Sequence, residues 1–105
     1  MATDATGTRS VYNTLSTTVV DTVTLQGHWL SVDISNREAA GGASIWVTLG
    51  FADHVPADPV ALANETFEVP AGTVLTIPLI NDTYAQPCVK LVGSGNAYGV
   101  VGNPQ

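Results

Sequence analysis

The feature that most constrains this chain is alternation. From Thr17 onward, apolar and polar residues take turns in short runs, each closed by Gly, Pro, Asn or Asp. Successive side chains of a strand point to opposite sides, so a period of two marks a strand with one buried face. Residues 29–35 put Leu30, Val32 and Ile34 on one side and Ser31, Asp33 and Ser35 on the other. Residues 44–51 repeat the pattern with Ile45, Val47, Leu49 and Phe51 inward, Trp46 and Thr48 opposite; residues 73–80 turn Leu75, Ile77 and Leu79 inward. Residues 19–25, 65–69, 88–92 and 97–101 complete seven candidate strands, and no segment keeps a helical period. In residues 19–25 the inward face collects Val19, Val23 and Leu25, with Asp21 as its single polar member.

The joining segments carry turn chemistry. Residues 36–43, with a Gly pair and the Arg37-Glu38 step, read as an exposed loop closing a hairpin between the strands on either side, and residues 93–96 do the same for the last two strands. Pro70-Ala71-Gly72-Thr73 fits a type I turn with Pro70 at its first central position. Residues 53–64 hold Pro56 and Pro59 and no alternation, which makes them the longest loop, with room at Val60 to Ala63 for one short helical turn. Pro78 lacks a ladder donor and moves its strand to a sheet edge, and residues 81–87 are a polar loop.

Residues 1–16 are rich in Thr, Ser and Asn without a sustained period and read as an extended arm, residues 17–105 as the domain. Val11, Tyr12 and Leu15 are the apolar exceptions, anchors for docking on this domain or on a neighbour. At 105 residues the chain suffices for one core and no second domain. The expected architecture is all-β: a single antiparallel β-sandwich of about seven strands, immunoglobulin-like or jelly-roll in type, with an extended N-terminal arm.

Composition narrows function mostly by exclusion. Nine acidic residues against three basic ones (Arg9, Arg37, Lys90) give a net charge of −6, and the basic residues are scattered, so neither nucleic acid nor an anionic membrane surface is an expected partner. No run approaches the ~20 apolar residues of a spanning helix, and the polar opening residues lack the apolar centre of a signal peptide, which points to assembly inside a cell. Cys88, the single cysteine, opens an apolar run and reads as a buried structural thiol. His28 and His54 each lie beside a turn, and Asp53, His54 and Asp58 read as a solvated loop, with a calcium site as the sharper alternative. Glu65 and Glu68 fall on opposite faces of one strand, and no nucleophile elbow or phosphate loop is present. The expectation is a protein that is not an enzyme and that needs no cofactor or metal.

Trp29 and Trp46 each oppose the apolar face of their own strand. If those strands pair, both indoles share one outer face, open to three readings: a second buried layer, a subunit interface, or a platform for sugar rings.

The succession WLSVDISN, IWVTLG, a Pro-rich loop, TFEVPAGTVLTIPL and CVKLVGSGNAYGVVG resembles small virion proteins of tailed double-stranded DNA bacteriophages, especially those of actinobacterial hosts. The likeness covers about residues 18–102 and departs from the family at Val74, Leu75 and Thr76, where charged surface residues are usual. It implies a capsid decoration, or minor capsid, protein: a small β-domain on the outer capsid surface of the virion, assembled in the host cytoplasm. The implied partners are the major capsid protein and further copies of the chain, a trimer being favoured. A tail or baseplate component and a carbohydrate-binding module are the alternatives. Val11, Tyr12, Leu15, Trp29 and Trp46 are the candidate partner-binding residues.

Overall fold

The computed structural model describes residues 4–27, 29–63, 65–79 and 86–103, which form nine strands and no helix. These are β1 (Asp4–Gly7), β2 (Ser10–Thr14), β3 (Asp21–Leu25), β4 (Ser31–Asn36), β5 (Ile45–Phe51), β6 (Phe67–Val69), β7 (Val74–Pro78), β8 (Pro87–Val92) and β9 (Ala97–Asn103). They make two packed sheets, one ordered β1-β3-β8-β5-β6 and the other β2-β9-β4-β7. All pairings are antiparallel except β1 with β3. The fold is a β-sandwich.

All seven alternating segments are strands, as β3 to β9. Their pairing differs from the expected local hairpins: β4 and β5 lie in opposite sheets, as do β8 and β9. The chain is one long nested hairpin instead, in which β2 pairs β9, β3 pairs β8, β4 pairs β7 and β5 pairs β6. Rolling that ribbon brings β9 beside β4 and β8 beside β5. Numbered from β2, the strand orders are then 1-8-3-6 and 2-7-4-5, the arrangement of a jelly roll. Only β5 and β6 are sequence neighbours within one sheet, so residues 52–66 are the bend of the whole hairpin.

The segment expected to be an extended arm, docking on this domain or on a neighbour, is woven into its own sandwich from Asp4 onward. β1 adds to the edge of one sheet and β2 to the edge of the other. Leu15 is 2 % exposed inside the core, and its amide donates to the Asn96 carbonyl at 2.8 Å. The physical reason is the unpaired edges of β3 and β9, whose backbone groups a short extended segment satisfies at no cost in side-chain burial.

Val23, Leu25, Val32, Ile34, Ile45, Val47, Val89, Leu91 and Val100 fill the space between the sheets. β8, flanked on both sides, buries Pro87, Cys88, Val89 and Leu91. Two polar clusters are buried with the core, Tyr98 with Asp21 and Asn36 with Asn96. The Tyr98 hydroxyl donates to Asp21 Oδ2 at 3.0 Å; burial, then this hydrogen bond and the carboxylate's charge, push its pKa well above the ordinary tyrosine value. At one end of the sandwich, Asn36 Nδ2 donates to the carbonyls of Ala43 (3.0 Å) and Val69 (2.9 Å), while its Oδ1 accepts from the Glu38 amide and from Asn96 Nδ2, each at 3.2 Å. Asn96 Nδ2 also reaches the Ala43 carbonyl at 2.7 Å. These two amides tie together the loops where the chain crosses between sheets.

Three local expectations change. Leu30 precedes β4 and is 54 % exposed, because the strand starts at Ser31, two residues later than expected, and its inward set becomes Val32, Ile34 and Asn36. In the turn after β6, Thr73 N bonds the Pro70 carbonyl and Gly72 takes the positive φ of 76°, so Pro70 stands before the central pair rather than in it. Phe67 faces inward by register opposite Val47 but lies on an edge strand and stays 43 % exposed.

Candidate docking surface

The bend of the hairpin does not project freely; it folds back over the outer face of the five-stranded sheet. Thr48, Gly50, Lys90 and Cys88 share that face by register. Gly50 is what permits the approach: a Cβ there would stand 2.6 Å from the His54 carbonyl oxygen and 2.8 Å from Pro56 Cδ. Phe51 and His54 exchange backbone hydrogen bonds of 3.1 and 3.0 Å, closing a tight turn. Beyond it, Thr48 Oγ1 donates to the Ala57 carbonyl, Lys90 Nζ meets Asp58 Oδ1 at 3.0 Å, and Pro59 is buried. A cavity of about 330 Å³ remains between loop and sheet, with Thr48, Leu49, His54 and Glu65 in its walls.

Past these anchors the loop turns outward. Ala63 N bonds the Val60 carbonyl at 3.0 Å, so a turn stands where a short helical turn was expected, and Leu62 and Glu65 both adopt positive φ, 64° and 68°. For residues with a Cβ this backbone costs of order 1–3 kcal/mol each. Leu62 is moreover 86 % exposed, and the same loop exposes Val60 at 62 % and Val55 at 54 %. The same excursion carries exposed Asp53, Asp58 and Glu65, and Glu68 on β6, with Lys90 paired to Asp58. An anchored base thus displays a strained apolar tip with an acidic rim.

A second concavity, an open groove of about 470 Å³, lies at the opposite end of β5. Trp46 forms one wall, Ala43, Ser44, Val92 and Gly93 others. Thr18, also in its wall, has φ 61°, an outlier for a β-branched residue.

The sequence-derived candidates do not assemble into one site. Trp46 is half-buried on the outer face of the five-stranded sheet. Trp29 belongs to the other side of the molecule: its indole lies against Gly102 and the core, and Nε1 donates to the Gln26 carbonyl at 3.1 Å. The shared outer face expected of the two indoles does not exist, because β4 and β5 are in different sheets. Val11 faces inward and packs on the core, Leu15 is buried within it, and Tyr12 alone of the three arm residues is exposed, at 58 %. Among the described residues no group of three or more His, Cys, Asp or Glu could hold a metal. Asp58 is engaged by Lys90, Cys88 is buried, and His28 lies outside the described residues. Leu62 and Gly50 escaped the sequence reading; the available signal was three aliphatic residues, Val55, Val60 and Leu62, in a Pro-punctuated loop with no period to bury them.

No protein-family model, curated protein or solved structure matches this chain.

Proposed function

We propose that this chain is a structural virion protein, a capsid decoration protein that binds the outside of an assembled phage head and stabilises contacts among major capsid subunits. The observation that carries the reading is the loop of residues 52–66: pinned at Gly50, Thr48 and Lys90, it holds Leu62 in water in a strained backbone. A preorganised apolar tip loses little further entropy on docking. Its acidic rim directs it to an apolar recess bordered by basic groups. The sequence resemblance points the same way, and jelly-roll sandwiches recur in capsid proteins, an argument by analogy of fold. Many copies on a symmetric lattice make modest single contacts sufficient. The sugar-platform reading loses its geometry, since Trp46 lies on the outer face of the five-stranded sheet while Trp29, ahead of β4, packs against Gly102 and the core.

The test is co-sedimentation of the chain with purified expanded phage shells and with free capsid subunits. Binding to shells and little or none to subunits is expected. Burying a leucine contributes about 1.5–3 kcal/mol, so Leu62→Asp should weaken shell binding by roughly tenfold to a hundredfold. Failure of the unaltered chain to bind any shell refutes the proposal; density on the tail instead of the head moves it to a tail component.

A further inference from the structure

We propose that the outer face of the four-stranded sheet is a two-fold self-association surface, on which a second copy of this chain packs sheet against sheet. Of the outward side chains on β2, β9, β4 and β7 only Asp33 is charged, and Arg37 follows directly after β4. The face is built around one cross-strand row, Tyr12, Gly99, Ser35 and Val74. The Tyr12 ring lies flat against the sheet because position 99 has no Cβ; one built there would come within 2.6 Å of the ring. Tyr12 and Val74, at the two ends of the row, are 58 % and 61 % exposed, and between them the surface is a glycine and a serine.

Asp33 on β4 and Arg37, the residue just past the end of β4, stand two residues to either side of Ser35. A two-fold axis lying in the interface along the central row reverses strand direction, so it sets the Asp33 end of each copy against the Arg37 end of the other. An isologous contact needs this self-complementarity. At present Arg37 rests over the Tyr12 ring at 5.1 Å, and Asp33 accepts from Thr76 Oγ1 at 2.6 Å. The opposite side of the molecule excludes the same partner: pairing two acidic loop surfaces would bring the carboxylates of Asp53, Asp58, Glu65 and Glu68 against their own copies. For a chain of net charge −6, the four-stranded face is where two copies meet without that repulsion.

The area sets the strength. Four strands about 4.8 Å apart and a six-residue strand at about 3.4 Å per residue give a face of roughly 19 by 20 Å, or about 400 Å² on each copy. That is below the ~800 Å² per partner of a standard interface, so the dimer is a weak one, with a dissociation constant on the order of 100 μM.

Sedimentation equilibrium of the full chain from about 10 μM to 1 mM tests this. The expected result is a mass rising from monomer toward dimer. Asp33→Arg and Arg37→Asp should each raise the dissociation constant about tenfold, and the double variant, which restores opposite charges across the axis, should return it to within about threefold. Val74→Glu, which touches neither charge nor the Thr76 hydrogen bond, should also abolish association, while Leu62→Glu on the opposite face should not. A chain monomeric at 1 mM, a trimer, or a dimer whose single charge variants are not rescued by the double one overturns the proposal.

Discussion

Replacing Asn36 by alanine removes four hydrogen bonds from a position only 2 % exposed. Two run from Nδ2 to the Ala43 and Val69 carbonyls, and two arrive at Oδ1 from the Glu38 amide and Asn96. At a net value of about 1 kcal/mol each the loss is about 4 kcal/mol. The Ala43 carbonyl keeps its 2.7 Å bond from Asn96, which trims the expected cost to about 3 kcal/mol. A domain of this size has about 5–15 kcal/mol in all, so the variant should melt more than about 12 °C lower. Asn36→Asp sharpens the reasoning: it keeps the size and the acceptor but turns an oxygen toward two carbonyl oxygens, so at neutral pH it should be at least as unstable as the alanine variant. Urea denaturation followed by tryptophan fluorescence measures both. In a double-mutant cycle, Asn36→Ala with Asn96→Ala should show a coupling of about 1 kcal/mol through their shared bond. A cost below about 1 kcal/mol for Asn36→Ala, or an Asp variant as stable as the native chain, would refute the claim that these amides tie the crossing loops together.

Three further outcomes follow from the geometry. Gly50→Val places a Cβ 2.6 Å from backbone oxygen, so the loop must lift; a loss of about 1–3 kcal/mol is expected, with limited proteolysis cutting first within residues 55–62. Because the folded pKa of Tyr98 lies above its unfolded value of about 10, its contribution is complete below that pH and is lost as pH rises toward the folded value; stability should fall by up to about 1.4 kcal/mol per pH unit above 10, and that part of the slope should vanish in Tyr98→Phe. Thr18→Gly relieves a β-branched residue at φ 61° and should raise the urea midpoint by the equivalent of about 0.5–1 kcal/mol with an unchanged slope; a lower midpoint would show that the Thr18 side chain outweighs the strain.

What was legible in the sequence was whatever alternation encodes. Val23 and Leu25, Val32 and Ile34, Ile45 and Val47 declared their strands and their buried faces, and Asp21 stood out as the polar exception that meets Tyr98. Alternation assigns faces but not partners, so local hairpins were the natural expectation and the nested pairing was hidden; the misplaced Trp29 and Trp46 pair is the direct consequence. β1 and β2 went unread because Asp4–Gly7 and Ser10–Thr14 hold only Ala5 and Val11 as inward aliphatic residues and are extended by ladder bonds at sheet edges rather than by burial. Asn36, at the end of β4, and Asn96, in the loop before β9, lie in stretches of exposed composition and become buried only because the chain crosses between sheets at both places. Nor does composition say whether a Pro-rich loop stands off or folds down; the small residue at position 50, two residues before the loop, decides that.

The nested hairpin makes the docking loop and the folding of the domain depend on overlapping residues, and this separates their tests. The outer pairing of β2 with β9 joins opposite ends of the chain, a closure expensive in loop entropy, whereas β5 and β6 meet across the loop of residues 52–66 alone. The inexpensive first step of the roll is therefore the bend itself, and its anchors at Thr48, Gly50 and Lys90 bear on folding as well as on display. Leu62 is 86 % exposed, so Leu62→Asp should leave the melting temperature within about 3 °C of native, a change of about 0.5 kcal/mol, while Gly50→Val lowers stability and shell binding together. If the melting temperature instead drops markedly in Leu62→Asp, the tip is packed on its own domain in solution, and the docking role assigned to it fails without any shell having been measured.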